Sequence, residues 1–308
     1  MKRFSLFFTM LLLSLSSFAY NDNNSIYIGF ETESYSYKEP HMDHSMSLKG
    51  HKVGASIEWI GKRFLESAGL MDEGDRTFAT FEARFMTGDT QYNGYLQSIG
   101  PDPSGVQPYI VTYTPFQVNN VPDWYLEGRV TLGRAYDFMD IGEIWPYIGF
   151  GYRRLVNNME KVDPDSGYKR ISQYYYIPIG FSLRRDFDSG FKISLTSEFD
   201  WLIHGEQASH LGDIIAQMYP GVETNYVYNN QRKGWGARFS LKVDVPVSQR
   251  TGIFVEPYFR MWKIQNSGLG ESDAIHLSGG GYMYWYNMPF IEPFNVTREL
   301  GIKAGIYF

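Results

Sequence analysis

The sequence predicts an all-β chain: a single closed antiparallel transmembrane β-barrel of ten strands, with twelve and eight as the alternative counts. Three observations predict it. Apolar and polar residues alternate with a period of two along ten segments. The charges within those segments fall almost entirely on one parity. The chain opens on an export-type leader and closes on an aromatic residue, Phe308.

The leader comes first. Lys2 and Arg3 precede a mostly apolar run over residues 4–13, and Ser17-Phe18-Ala19 supplies the small-x-small cleavage pattern. A signal peptide over residues 1–19 is expected, leaving 20–308 as one barrel domain. The run is too short for a membrane anchor, because a spanning helix needs about 20 apolar residues. With no cysteine in the chain, an N-acylated-cysteine lipoprotein and disulfide staples are both excluded.

Composition agrees with strands rather than helical spans. Aromatic residues make up 17% of the chain, with 24 Tyr and 22 Phe, yet mean hydropathy is -0.33. After Leu13 no apolar stretch reaches the ~18 residues of a candidate spanning helix. A formal net charge of -6 argues against nucleic acid as a partner.

The last strand is the clearest. Leu300, Ile302, Ala304, Ile306 and Phe308 share one face, opposed by Glu299, Gly301, Lys303, Gly305 and Tyr307. Nine further segments alternate in the same way, centred on Ile28, Ile57, Phe81, Leu126, Phe150, Ile179, Leu195, Phe239 and Val255. An even count puts both chain termini on the periplasmic side. Residues 137–143, 186–190 and 247–252 then read as short periplasmic turns, and 61–76 as a longer one with room for a helical turn. Residues 38–47, 95–122, 157–171, 205–234 and 265–296 read as surface loops. The Tyr-rich stretch 279–287 is the source of the twelve-strand alternative.

Lys52, Glu58, Glu82, Arg84, Glu127, Arg129, Arg184, Lys192, Glu198, Asp200, Arg238, Lys242, Asp244, Glu256, Arg260, Glu299 and Lys303 all lie on the polar parity. A charge facing lipid at mid-membrane costs about 2–4 kcal/mol, whereas a lumen charge can be hydrated or paired. Arg134 and Arg154 break the parity near strand ends, where that cost fades. A soluble β-sandwich also alternates, so the leader, the strand length and the aromatic terminus decide between the two. Ten strands enclose a narrow interior, which long acids and bases from opposite walls can nearly fill.

The stretches Pro146-Tyr147-Ile148-Gly149-Phe150-Gly151-Tyr152-Arg153, Tyr174-Tyr175-Tyr176-Ile177-Pro178-Ile179-Gly180, Glu256-Pro257-Tyr258-Phe259-Arg260-Met261-Trp262 and Glu292-Pro293-Phe294-Asn295-Val296-Thr297-Arg298-Glu299-Leu300-Gly301 carry a family resemblance. The chain resembles a poorly characterised family of proteobacterial outer-membrane β-barrel proteins. The resemblance runs through much of residues 20–308 and implies the cell outer membrane. Outer-membrane lipids and lipopolysaccharide are the implied surroundings, and the C-terminal strand the implied signal to the barrel-assembly machinery. It transfers no catalytic residue. Ten strands also resembles the omptin-like surface proteases, which use an aspartate pair and a His–Asp pair at the extracellular rim. Asp163 with Asp165, and Asp200 with His204, are the matching residue types, in surroundings that do not match that family's motifs.

Two other constellations have chemistry to weigh. His41, Asp43 and His44, with His51 just beyond, are ligand types at short spacing for a divalent metal; a polar loop needs no metal to have them. Glu206, Ser209 and His210 are the residue types of acyl transfer, but no G-x-S-x-G elbow is present. The sequence therefore assigns no catalytic, cofactor-binding or metal residue and no cofactor. It supports a non-enzymatic barrel with a structural or surface-binding role, its lumen largely closed by paired charges and its loops open to an extracellular ligand. A narrow channel for small solutes is the second reading, and an omptin-like protease or lipid-modifying enzyme the third.

Deleting Phe308 is expected to lower the amount of heat-modifiable barrel in outer-membrane fractions and to leave more unfolded protein in the periplasm. Unchanged barrel levels on gels of boiled and unboiled membranes would contradict this.

Overall fold

A computed structural model describes residues 24–40, 44–70, 74–100, 104, 110–211, 222–223, 226–271, 275–277, 282–283 and 289–308. The leader, its cleavage site, and His41 and Asp43 lie outside the described residues.

Ten antiparallel strands close into a barrel. They are β1 (Asn24–Lys38), β2 (Ser47–Lys62), β3 (Thr77–Gly100), β4 (Ile110–Arg134), β5 (Gly142–Asn158), β6 (Lys169–Asp186), β7 (Lys192–Ser209), β8 (Gly234–Pro246), β9 (Gly252–Ile264) and β10 (Asn295–Tyr307). Each pairs with its neighbours in sequence. β10 returns to β1 with Lys303 opposite Glu31 and Tyr307 opposite Tyr27. Closure ends on the terminal residue, whose backbone exchanges hydrogen bonds with Ile26 (Phe308 N to Ile26 O, 2.9 Å; Ile26 N to Phe308 O, 3.1 Å). A closed barrel has no edge strand, so every backbone group in the hydrocarbon layer finds a partner within the wall.

The parity read from the sequence is the parity of the wall. Phe30, Phe85, Leu126, Ile148, Phe199 and Leu300 face outward. Glu33, Arg84, Glu127, Arg153, Glu198 and Glu299 face the lumen and are buried. The outward apolar belt gives way to polar residues along β1 at Ser34, Ser36 and Lys38, which sets the upper limit of the membrane there. Trp124, Tyr152, Tyr175, Trp201 and Trp235 lie toward that upper limit on other strands, the level at which amphipathic rings collect. Arg154, two residues beyond Tyr152 along β5, is likewise outward in the region where charge costs little.

Two lumen-facing glycines make room for rings. A Cβ on Gly151 would lie 2.1 Å from the ring of Tyr176, and one on Gly301 would lie 2.5 Å from that of Tyr258. Both rings therefore lie flat against the inner wall, over the glycine of the adjacent strand.

The turn region after β2 holds one helical turn, α1 (Phe64–Ser67). Its free N–H groups at Leu65 and Glu66 both donate to Asp75 Oδ2 at 3.1 Å, so a residue from the far side of the turn acts as the cap.

Two expectations are corrected. Residues 95–122 are largely strand rather than loop: β3 runs to Gly100 and β4 starts at Ile110. Paired with each other beyond the end of β2, they rise above the membrane as a two-stranded arm. Pro115 and Pro122 mark the segment as loop in a sequence reading, yet both fit on a hairpin arm with free outer edges. Similarly, the 205–234 loop is shortened at both ends, because β7 continues to Ser209 and Val227–Gln231 pairs with it. Of the Tyr-rich stretch 279–287 only Tyr282–Met283 lies among the described residues, and it pairs with Ile275–Leu277 in a small sheet separate from the wall.

Ile302 is 43% exposed on the outer face and Lys303 is 7% exposed in the lumen. A spin label at position 302 is expected to be reached by lipid-soluble oxygen, and one at 303 is not. Ile302→Arg should destabilise the folded barrel by about 2–4 kcal/mol in urea titrations. Equal oxygen access at the two positions would refute the register.

Candidate functional site: an ionic plug beneath a mouth cavity

Alternation delivers acids and bases to the same lumen from every wall, and the barrel is narrow enough for them to meet across it. In the middle of the lumen Arg84 (β3) reaches two acids of β1, Glu31 at 2.6 Å and Glu33 at 2.9 Å. Arg153 (β5) and Arg260 (β9) converge on Glu299 and Glu127, the Arg260–Glu299 contact being 3.4 Å. Arg129 (β4) bridges Glu82 at 2.5 Å and Glu198 at 2.6 Å. Arg238 (β8) meets the same two acids at 3.1 and 3.3 Å. Towards the periplasm Lys242 holds Glu58 at 2.6 Å, and Lys303 holds Glu256 at 3.2 Å and Glu82 at 3.6 Å.

Tyrosines complete the layer. Tyr125 donates to Glu33 (3.0 Å), Tyr176 to Glu127 (2.5 Å) and Tyr147 to Glu198 (2.7 Å). The guanidinium of Arg153 lies 4.1 Å from the centre of the Tyr125 ring. Higher up, Lys52 pairs with Asp123 at 2.5 Å while its ammonium sits 3.5 Å over Tyr35. Most of these groups are buried. Isolated charges there would be prohibitive, so pairing is the condition for their burial.

Above the plug the lumen opens into a cavity of about 490 Å³ at the extracellular mouth. Its floor is a second ionic cluster. Arg170 (β6) bridges Glu292, at 2.5 Å, and Glu39, at 3.4 Å. The Tyr37 hydroxyl lies 2.9 Å from Glu39 and 2.8 Å from Glu292, and Gln207 donates to the other oxygen of Glu292. This cluster stands outside the membrane-spanning segments, beyond the polar outward positions Ser36 and Lys38. Burial pushes the Glu292 carboxyl up to about 7; Arg170 opposes the rise and Glu39 adds to it. The walls mix aromatic and apolar side chains, among them Met46, Leu48, Tyr92, Tyr113 and Met159, with polar ones, His44, Asn157, Ser209 and Asn229.

The residues singled out in the sequence are dispersed. Asp163 accepts from Ser166 N at 3.2 Å in the loop after β5, a turn contact. Asp200 and His204 do not meet. The register between β6 and β7 shifts at Tyr175/Tyr176, leaving Ile203 as an extra residue on β7. Asp200 is buried in the lumen, whereas His204 stacks on the outward ring of Tyr175 (centroids 6.1 Å). Ser209 lines the mouth cavity, His210 stacks on Tyr226 (3.7 Å), and Glu206 accepts from Gln173 (3.4 Å), so no acyl-transfer triad forms. His44 stacks on Tyr113 at 3.8 Å, and the described residues contain no group of three or more His, Cys, Asp or Glu placed to hold a metal ion. Sequence reasoning missed Glu39, Arg170 and Glu292. They lie at or beyond strand ends, and parity carries no information there.

No family description and no curated protein matches the chain. Among solved structures, it is similar to the outer membrane protease OmpT from Escherichia coli, with a TM-score of 0.53 and 12% identity over 93% of this chain and 96% of that one. The translocator domain of the autotransporter NalP from Neisseria meningitidis gives a TM-score of 0.34 at 9% identity, over 97% of this chain and 95% of that chain. OprG from Pseudomonas aeruginosa gives 0.30 at 10%, over 92% and 95%. The first likeness is one of fold; the other two carry no argument. A closed ten-stranded barrel with an apolar belt and a charged lumen defines the class: an integral β-barrel protein of the cell outer membrane.

Replacing either Lys52 or Asp123 alone by a neutral residue of similar size is expected to destabilise the barrel by about 3–5 kcal/mol, because the survivor is left charged and buried without an ionic partner. The double replacement should cost clearly less than the sum of the two. A double-mutant cycle in urea measures this, and additive losses would show the pair to be uncoupled.

Proposed function

We propose that this barrel is a non-enzymatic surface-binding protein: a closed scaffold whose mouth cavity receives a small extracellular ligand. One observation carries the reading. A cavity of about 490 Å³ stands directly above a lumen crossed by ion pairs from opposite walls. The volume lies in the range of small-molecule sites, about 300–1,000 Å³. The plug beneath it favours a cup over a pipe, since opening the lumen would expose buried charges and break several pairs at once.

The same reading names the surrounding lipid. Lys263, Arg298, Lys38 and Lys49 lie on the outer face of the adjacent strands β9, β10, β1 and β2, above the apolar belt. That position suits the phosphates of outer-leaflet lipid, lipopolysaccharide included.

A narrow channel is the second reading. Polar voids of about 50 and 40 Å³ persist in the periplasmic half of the lumen, each large enough for a few water molecules. Planar-bilayer recording with the purified, folded barrel separates the two. The closed scaffold is expected to give no long-lived openings, and a large, stable conductance would overturn it.

A further inference from the structure

The floor of the mouth cavity is short of positive charge. Two carboxylates, Glu39 and Glu292, face one guanidinium, Arg170. Their other shared partner, the Tyr37 hydroxyl, sits within hydrogen-bond distance of both but has a single proton to give. Glu292 has the better share: the shorter contact to Arg170, and the amide of Gln207 as well. Glu39 is left with the 3.4 Å contact to Arg170 and its share of Tyr37, while only 7% exposed. In the plug, Glu82 alone meets Arg129, Arg238 and Lys303, and the one guanidinium there that serves two acids of a single strand, Arg84 with Glu31 and Glu33, is sealed away from the cavity.

The walls define what else a ligand must offer. Tyr92, Tyr95, Tyr113 and Tyr168 bring aromatic rings to the cavity, and ring faces attract cations. Met46, Leu48, Met159 and Val227 supply apolar surface for an alkyl stem. No lysine lies among the described residues lining the cavity, so Arg170 has no ammonium group beside it to relieve the two acids.

We infer that the mouth cavity binds an organic cation: a primary ammonium or guanidinium head on an apolar stem, with the head on the Glu39–Glu292 pair and the stem against the methionine and leucine wall. This rests on the surface-binding reading and gives it a ligand class. An anion would meet two carboxylates at the floor. A neutral polyol would leave the missing charge unsupplied. A cation supplies it and removes the conflict over the Tyr37 proton, because Glu39 then gains a donor of its own.

The protonation of the floor adds a sign. Glu292 faces Glu39, Arg170, Tyr37, Tyr168, Tyr174 and Gln207, with His44 lining the same cavity against Tyr113, and burial holds the Glu292 carboxyl at about 7. Below that pH the proton on Glu292 fills the deficit and competes with the ligand. Above it the pair is doubly charged and the cation binds best.

Isothermal titration of the full chain, folded in detergent and checked by heat-modifiable migration, tests this with n-butylamine and agmatine against n-butanol and butyrate. The amines are expected to bind at least about tenfold more tightly than butanol, a difference of about 1.4 kcal/mol. Glu39→Gln should remove most of that preference. Binding should tighten as pH rises through about 7 in the native chain and become flat in Glu292→Gln. Butanol or butyrate binding as well as butylamine would overturn the inference, as would a folded Glu39→Gln barrel with undiminished preference. Should Glu292→Gln fail to fold, the amine preference and the Glu39→Gln result decide alone. A conducting barrel would sink the surface-binding reading itself, whereas a closed barrel indifferent to amines would sink only the ligand class.

Discussion

Charge pairing across a narrow lumen is the interaction on which the rest of this structure depends. Each side chain of a membrane strand has two directions available, hydrocarbon or interior, and the interior of ten strands is too narrow to remain a water column once it is filled by Arg, Lys and Glu. The bridges are long-range. Arg84 of β3 binds Glu33 of β1, Arg129 of β4 binds Glu198 of β7, and Lys242 of β8 binds Glu58 of β2. They tie non-adjacent and opposite walls together, so they constrain the cross-section of the barrel from within while the backbone ladder constrains it along the wall. Buried pairs seldom surpass well-packed apolar residues in net stability. Here the apolar alternative meets a different obstacle. Strands apolar on both faces would approach the hydropathy of a helical span, and export across the inner membrane requires that they do not. A mean hydropathy of -0.33 coexists with an apolar exterior because the lumen holds the polar half of each strand and the connecting segments add further polar residues.

That constraint also decides what the sequence could disclose. Lipid tolerates few exceptions, so the lipid-facing parity is written plainly, and Leu300, Ile302, Ala304 and Ile306 identify their strand at sight. The partners are not written. Whether Arg129 meets Glu198 or another acid depends on the register and shear of the closed wall, and no single strand contains that information. The bulge at Ile203 is a sharper case. On an unbroken strand Asp200 and His204 would share a face and invite a reading as a functional pair. One extra residue turns His204 outward onto Tyr175 while Asp200 stays in the lumen. The arm formed by β3 and β4 was hidden for a related reason. Above the membrane no lipid enforces alternation, so the sequence reverts to prolines, asparagines and glycines that look like a loop even where the backbone remains paired.

The mouth was the least legible part. Glu39 follows β1, Arg170 opens β6 and Glu292 precedes β10, so three strand ends far apart in the chain assemble the cluster. Nothing in their local spacing announces that they meet. Alternation had already assigned the interior as polar, but it gives no height along the barrel axis, and height separates a structural pair from an accessible one.

The contrast in access between the two clusters bears on function more directly than either alone. In the plug a single carboxylate commonly meets two or three cations: Glu127 meets Arg153, Arg238 and Arg260, and Glu299 meets Arg84, Arg153 and Arg260. These acids are shared among several cations and buried, so an external ion has no path to them. At the mouth one guanidinium is divided between two acids, as Arg84 is between Glu31 and Glu33 in the plug, but here the trio stands beside a cavity open to the outside. Buried charge left short of a partner is costly where nothing can reach it and useful where something can. The lumen therefore divides by height into a lower part, where ion pairs cross between the walls and are sealed from the exterior, and an upper part, where the shared guanidinium and its two acids face the exterior.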